Sequence, residues 1–101
     1  MASIDNTIHQ PVRLRIMATL VALDMGGQVD FTYLKKLLEL TDGNLGAHLA
    51  KLEKAGYAQL DKTFIEKKPK TFVSATGRGR DAFNEHVAAL QTILRNSSNN
   101  P

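Results

Sequence analysis

The residues best suited to bind a ligand lie in residues 42–55, a segment with helical spacing. Because an α-helix turns by about 100° per residue, Leu45, Leu49 and Leu52 fall on one side, which predicts a core-facing surface. The opposite side carries small, polar and basic residues: Gly43, Asn44, Ala47, Ala50, Lys51 and Lys54. Small side chains let a helix approach another surface, asparagine can pair with adenine, and lysine reaches guanine or phosphate. This face is suited to reading DNA, although alanines on a solvated helix would explain the small residues equally well.

Three further features could hold the DNA backbone. The first N–H groups of the same helix, near Thr41, are free to bind a phosphate. His48 lies at the edge of the leucine side, where it is either a packed structural residue or a donor to phosphate. Three lysines are placed at the tip of a predicted hairpin over residues 62–71: Lys67, Lys68 and Lys70. From there they would reach the backbone or the minor groove, or serve only as charges that keep the hairpin soluble.

The positive charge of the chain is concentrated around these residues. The net charge is +3, and residues 42–80 contain eight basic and four acidic side chains. The preceding segment is balanced and the following one carries a net charge of −1. A localised basic surface attracts polyanions, but an excess of this size is also compatible with an ordinary solvated face.

The elements that position these residues follow the order helix, helix, helix, hairpin, helix. A short helix capped by Asp5 and ending at His9 precedes them. Apolar spacing, caps and glycine stops predict helices over residues 12–25, 33–38, 42–55 and 77–94, and strands over residues 57–65 and 70–75. The first of these helices is apolar on most sides, which predicts a central position in the core.

The second and third helices form a helix-turn-helix. Thr32 is the predicted cap of the second, and Thr41 or Asp42 of the third, with only a short turn between the two helices. The second helix is predicted to bury Leu34, Leu37 and Leu38. A hairpin directly after this arrangement is called a wing. The sequence therefore predicts a mainly α fold with a small antiparallel β-hairpin, a winged helix-turn-helix.

The last helix carries more apolar residues than one face of a small core requires. These residues recur at helical spacing along it: Phe83, Val87, Leu90, Ile93 and Leu94. The surplus predicts a two-fold dimer through this helix, about residues 77–94. The domain is predicted to cover residues 1–95, followed by a disordered tail over residues 96–101.

Several classes of function are disfavoured by what the sequence lacks. There is no cysteine, which excludes disulfides and thiolate metal sites. The longest apolar stretch, residues 16–23, is too short to span a bilayer, and we expect a cytoplasmic protein. No phosphate-loop, hydrolase or metalloprotease motif occurs, so we expect no enzyme, no cofactor and no metal. The run from Thr76 to Arg80 is only superficially like a nucleotide loop, and a cap followed by a helix start explains it better.

Three stretches resemble a family of small winged-helix regulators related to the MarR and ArsR groups of bacteria and archaea. They are residues 11–17 (PVRLRIM), residues 31–34 (FTYL) and, most specifically, residues 40–57 (LTDGNLGAHLAKLEKAGY). Residues 70–72 and 76–83 continue the similarity, which covers about residues 8–94.

The resemblance implies a dimeric winged helix with the third helix in the major groove and the wing beside it. It places DNA contact on the following residues: Thr41, Asn44, Ala47, His48 and Lys51. We add Thr32, Gly43 and the three wing lysines as candidates. Gly46 departs from the family, which usually has serine or another polar residue at a phosphate-contacting position there.

The resemblance implies a sequence-specific regulator of transcription, expected to be a dimeric repressor that binds double-stranded DNA and that an unidentified small molecule could control. The alternative is a winged helix that has lost DNA contact and binds other proteins, because a fold does not fix a function. Such a module should have replaced Asn44, Lys51 and the wing lysines by apolar or acidic residues, and this chain keeps them.

Overall fold

The computed structural model describes residues 4–98, and this part of the chain forms five helices and three strands. They are α1 (Asn6–His9), α2 (Pro11–Val21), β1 (Val29–Asp30), α3 (Phe31–Leu38), α4 (Asp42–Lys54), β2 (Ala58–Ile65), β3 (Lys68–Ala75) and α5 (Gly77–Ser98). The predicted class, mainly α with an antiparallel hairpin, is confirmed. No helix in this range combines the length and the apolarity needed to cross a membrane.

The core is built around α2, as its apolar sequence predicts. Ile16, Met17 and Leu20 of α2 are fully buried. They pack with the leucines of α3 and α4 and with one valine of β3: Leu34, Leu38, Leu45, Leu49, Leu52 and Val73. Leu37 was expected to be buried but is 49% exposed, because it lies on the outer side of α3. The leucine side of α4 therefore faces inward, and its small and basic side faces solvent.

The sheet has three strands in the order β1-β3-β2, all antiparallel. Sequence patterning missed β1, which has only two residues and pairs Val29 with Val73. The hairpin turn consists of Glu66 and Lys67, both with positive φ (52° and 65°). Two-residue turns of this kind match the twist of the strands they join. As a consequence β3 begins at Lys68, two residues before its predicted start.

Three helix boundaries differ from the predicted ones. Helix α2 ends at Val21, not residue 25, and the Arg80 guanidinium donates to the carbonyl groups of the chain that leaves it. Helix α3 is capped by Asp30, whose Oδ1 accepts from the Thr32 N–H at 2.9 Å, so Thr32 lies inside the first turn. Helix α5 continues to Ser98, which corrects the predicted tail at residues 96–98; residues 99–101 lie outside the described range.

Helix α1 is attached to α5 through a buried histidine. The Asp5 N–H donates to His86 Nδ1 at 3.2 Å, and His86 is fully buried. Because Nδ1 accepts, the ring proton lies on Nε2, 3.3 Å from His9 Nδ1. The Asp5 carboxylate caps α1 and accepts from the Tyr57 hydroxyl at 2.6 Å. Burial first, and the neighbouring His9 second, lower the pKa of His86, while Asp5 opposes the shift.

This neutral histidine makes the fold sensitive to acid. A histidine with a lowered pKa in the folded state stabilises the fold above its unfolded pKa of about 6.5 and destabilises it as the pH falls. We expect His86 to lower the free energy of unfolding by at most about 1 kcal/mol between pH 6.5 and 5.5. Thermal melts of wild type and His86→Gln at pH 7.5, 6.5 and 5.5 test this. The variant should show the flatter profile, and parallel profiles would exclude His86 as the source.

Candidate nucleic-acid interface

Helices α3 and α4 form the predicted helix-turn-helix, and the turn between them is tight. Helix α3 ends because Glu39 adopts the left-handed conformation, with φ 55°. Thr41 is the cap of α4, since its Oγ1 accepts from the Asn44 N–H at 3.1 Å. Across the turn, Lys35 Nζ lies 2.9 Å from Asp42 Oδ1. The start of α4 is thus held in a fixed position on the surface.

The outer side of α4 is exposed over its whole length. Solvent-exposed positions on it include all the predicted small, polar and basic residues: Gly43, Asn44, Ala47, Ala50, Lys51 and Lys54. A methyl group added at Gly43 or Gly46 would meet no atom within 4 Å, so both glycines lie under open space. The result is a smooth, shallow ridge with an amide near its start and lysines near its end, which leaves room for a closely approaching surface.

His48 is half-buried between this ridge and α2. Arg13 Nη1 lies 3.2 Å from His48 Nδ1, a contact in which the guanidinium donates. Burial, then the charges of Arg13 and Lys51, lower the pKa of His48. His48 is therefore neutral near pH 7, and its remaining ring proton, on Nε2, is available to donate. The ring is packed and keeps one donor, and its donation to a phosphate stays a prediction.

The wing lysines do not all lie where the sequence placed them. Only Lys67 is in the hairpin turn. Lys68 opens β3 opposite Ile65, and Lys70 is further along β3, opposite Thr63. All three are exposed, but Lys70 Nζ forms an ion pair with Asp30 at 3.3 Å. The prediction failed for Lys68 and Lys70 because β3 begins at Lys68, so both residues lie in the strand and not in the turn.

The structure also places Thr32 and the two arginines of the basic segment, Arg78 and Arg80. Thr32 is exposed in the first turn of α3. Arg80 donates to the carbonyl groups of Val21, Leu23 and Asp24, and Arg78 lies over the Tyr57 ring at 5.8 Å. These two arginines thus stabilise the fold. The surface charge comes mainly from the lysines of α4 and the wing.

A groove beside the end of α4 collects residues that sequence reasoning left out. It is lined by residues from α1, α2 and α4: Asn6, Thr7, Arg13, Lys51, Lys54 and Ala55. Lys54 was visible on the outer side of the helix, but Arg13 was not an expected site residue. No sequence spacing signals this groove, because its lining is brought together only by the packing of α1 and α2 against α4.

The predicted dimer residues differ in exposure along α5. Phe83, Val87 and Leu90 are half-buried, and Phe83 packs partly against the core of its own chain. Ile93 and Leu94 are 49% and 66% exposed. With 22 residues, α5 is about 33 Å long at 1.5 Å per residue. The described chain measures 60 × 25 × 22 Å, so one dimension is more than twice either of the others.

Comparison with known proteins identifies the family. Residues 12–94 match a family of winged helix DNA-binding domains. The chain belongs to this family. The winged-helix domain is similar to an uncharacterized protein of Methanocaldococcus jannaschii, 39% identical over 85 residues that cover 84% of this chain and 89% of that protein. The expected winged helix-turn-helix fold and the resemblance to small regulators are thereby confirmed.

Solved structures share the fold of the winged-helix domain. A transcriptional regulator homologue from Pyrococcus horikoshii superimposes with a TM-score of 0.82 at 29% identity, covering 91% of this chain and 88% of that one. NadR, in a complex with 4-hydroxyphenylacetate, gives a TM-score of 0.69 at 21% identity, covering 89% of this chain and 61% of that one. In the winged-helix domain, α3 and α4 are the helix-turn-helix, and β2 with β3 is the wing.

Proposed function

We propose that this winged-helix domain is a sequence-specific, double-stranded DNA-binding regulator of transcription, of the MarR/ArsR type, that works in the cytoplasm. The observation that carries the proposal is the outer side of α4, where small residues, Asn44 and lysines are exposed on a ridge directly after a helix-turn-helix. Membership in a family of DNA-binding domains and the similarity to a regulator homologue support it.

In the proposed complex, α4 lies in the major groove and the wing lies on the adjacent backbone or minor groove. The width of the major groove, about 12 Å, admits one helix. The small side chains of Gly43 and Ala47 let the helix axis approach the bases. Asn44 is then placed to read a base, while Thr41, His48 and Lys51 contact phosphates or base edges. Lys67 and Lys68 hold the backbone from the wing.

The proposed regulator is a homodimer and a repressor. The exposed apolar residues near the end of α5, Ile93 among them, support a two-fold interface through this helix. A two-fold protein binds two half-sites about 34–36 Å apart, one helical turn of DNA. A repressor then acts by occupying a promoter. Control by a small molecule is part of the proposal, supported by the ligand that NadR carries in its solved structure.

Asn44 should supply sequence specificity, and the wing lysines should supply affinity that does not depend on sequence. Asn44→Ala is expected to weaken binding to the preferred duplex by about 1–3 kcal/mol and to leave binding to scrambled duplex nearly unchanged. Lys67→Ala with Lys68→Ala should weaken both duplexes alike and flatten the salt slope by up to about two units. The preferred duplex is obtained by selection from random sequences, and each variant is titrated against both duplexes by fluorescence anisotropy.

Thermal melts serve as the control, since none of these side chains faces the core. If Asn44→Ala weakened both duplexes equally, Asn44 would be a backbone contact and not a reader of bases. If neither variant altered binding, α4 would not be the reading helix, and a protein-interaction module would become the better explanation. If the wild-type protein bound no duplex even at low salt, the proposed function itself would be wrong.

A further inference from the structure

The groove between α1, α2 and the end of α4 has the chemistry of an anion site. Three of its lining residues, Arg13, Lys51 and Lys54, are cations, and none is acidic. No ion pair among residues 4–98 engages any of these cations. Lys51 and Lys54 stand three residues apart on one helix, where side chains are neighbours. Three uncompensated positive charges around one opening raise the local concentration of anions.

Arg13 is held in place for this task. Its Nε donates to the Thr7 carbonyl oxygen at 2.5 Å, and its Nη1 contacts His48 Nδ1 at 3.2 Å. A guanidinium has five N–H donors in a rigid fork, so donors remain after these two contacts. The Arg13 side chain is half-buried, so binding would cost less side-chain entropy than it would for a fully mobile arginine.

The size of the groove and the neutral groups around it favour a phosphate that is attached to a larger group. The volume of about 490 Å³ lies within the range of small-ligand sites, about 300–1,000 Å³. The side chains of Asn6 and Thr7 add polar groups on the α1 side. A phosphate bound by the three cations thus leaves space for the sugar that carries it.

The position along α4 indicates where such a phosphate comes from. Asn44 and Lys54 are ten residues apart, about 15 Å along the helix axis. The major groove is about 12 Å wide. When the start of α4 reaches base edges, its end therefore reaches the border of the groove, where the backbone phosphates lie.

We propose that Arg13, Lys51 and Lys54 bind one phosphate group, and that in the working protein this phosphate belongs to the DNA backbone at the border of the major groove. This inference rests on the proposed function. It adds α1 and α2 to the DNA-binding surface, which a helix-turn-helix and a wing alone would not include. A free phosphorylated molecule presents the same chemistry, and the experiment separates the two sources.

The first arm measures binding to scrambled duplex as a function of salt for Lys54→Gln, Arg13→Gln and Arg95→Gln. Lys54 is exposed, so its replacement should fold normally, and Arg95, near the end of α5, is a control with the same loss of charge. Lys54→Gln should flatten the slope by about one unit, which is about fivefold in affinity at 0.15 M salt. Arg13→Gln should do the same, and Arg95→Gln should match wild type.

The second arm titrates the DNA-free protein with inorganic phosphate against chloride at equal ionic strength, and follows amide NMR shifts. Shifts at Thr7, Lys54 and Ala55 that vanish in Lys54→Gln support a phosphate site. Such shifts with an unchanged salt slope would overturn the DNA backbone as the source. An unchanged slope and no shifts would overturn the site, even if the wild type binds duplex well. If the wild type binds no duplex, the proposed function is wrong, and the phosphate titration alone then tests whether the groove binds phosphate.

Discussion

Ile93→Asp is expected to convert the protein from dimer to monomer and to lower its affinity for a duplex with two half-sites by about 10²- to 10⁴-fold. Ile93 lies on the exposed part of α5 and is itself 49% exposed, so its replacement should not disturb the core of the single chain. In a two-fold interface one substitution introduces two carboxylates, and their burial is costly. The second half-site then has to be bound by a separate molecule.

The measurement combines light scattering at micromolar concentration with titrations on one-half-site and two-half-site duplexes. Gln91→Asp is the matched control: it adds the same charge to an exposed position of α5, about 200° around the helix from Ile93. Ile93→Asp should weaken the two-half-site duplex and leave the one-half-site duplex nearly unchanged. A wild-type protein that is monomeric at micromolar concentration would contradict the proposed dimer. Equal effects of both substitutions would mean that the interface on α5 is not centred on the side that carries Ile93.

Periodicity was sufficient to predict the four longer helices and the side of α4 that faces the core, although it wrongly placed Leu37 of α3 in the core. The leucines of α4 recur at helical spacing, so the buried side and the outer side of that helix both follow from the sequence. Thr41 was one of two expected caps because a hydroxyl before an apolar-periodic segment satisfies a free N–H. These are local interactions, and local interactions are what a single sequence records best.

The hairpin shows where local rules fail. Two-residue turns with positive φ at both positions favour asparagine and glycine, and here Glu66 and Lys67 occupy them. The sequence therefore predicted a longer turn that ended at Pro69, and it placed three lysines at the tip. The pairing of β3 with both β1 and β2 fixes the observed register. Long-range pairing outweighs the turn preference of the two residues.

The candidate site likewise has a part that follows from local sequence and a part that depends on long-range packing. The outer side of α4 belongs to one helix and could be predicted, whereas the groove and the His9–His86 pair join residues far apart in the chain. His86 lies next to Glu85 in a helix that was interpreted as a dimer element, and nothing local indicates that it accepts from the Asp5 N–H. Such contacts depend on how α1 packs on α5, and only the folded chain specifies that.

The run from Thr76 to Arg80 contains both a local feature that the sequence predicts and a long-range contact that it does not. Sequence reasoning interpreted it as a cap and a helix start, and the structure confirms this: Thr76 Oγ1 accepts from the Gly79 N–H at 2.9 Å. It could not reveal why the run contains two glycines. The start of α5 contacts the chain that leaves α4, where Thr76 Oγ1 donates to the Gly56 carbonyl at 2.6 Å and the Thr76 N–H donates to the Tyr57 carbonyl at 3.0 Å.

The two glycines should therefore respond in opposite ways to a single methyl group. A Cβ at Gly79 would overlap the Tyr57 carbonyl oxygen and lie 2.9 Å from the Tyr57 Cα, both atoms of a backbone that cannot yield alone. Gly79→Ala should lower the free energy of unfolding by about 3 kcal/mol, a loss of roughly 12 °C or more in Tm, although alanine favours helix by about 1 kcal/mol. At Gly77 a Cβ meets nothing within 4 Å, and Gly77→Ala should stabilise the protein by up to about 1 kcal/mol.

Urea unfolding and thermal melts of the two variants provide the test, with each serving as the control for the other. The same contact that excludes a methyl group at Gly79 sets the direction in which α5 leaves the domain. That direction determines how far apart two copies of α4 stand in the proposed dimer. A Gly79→Ala protein that still folds should therefore lose affinity for the two-half-site duplex more than for a single half-site. Similar stability of both variants would mean that α5 can shift freely at its start, and Gly79 would then have no part in setting its direction.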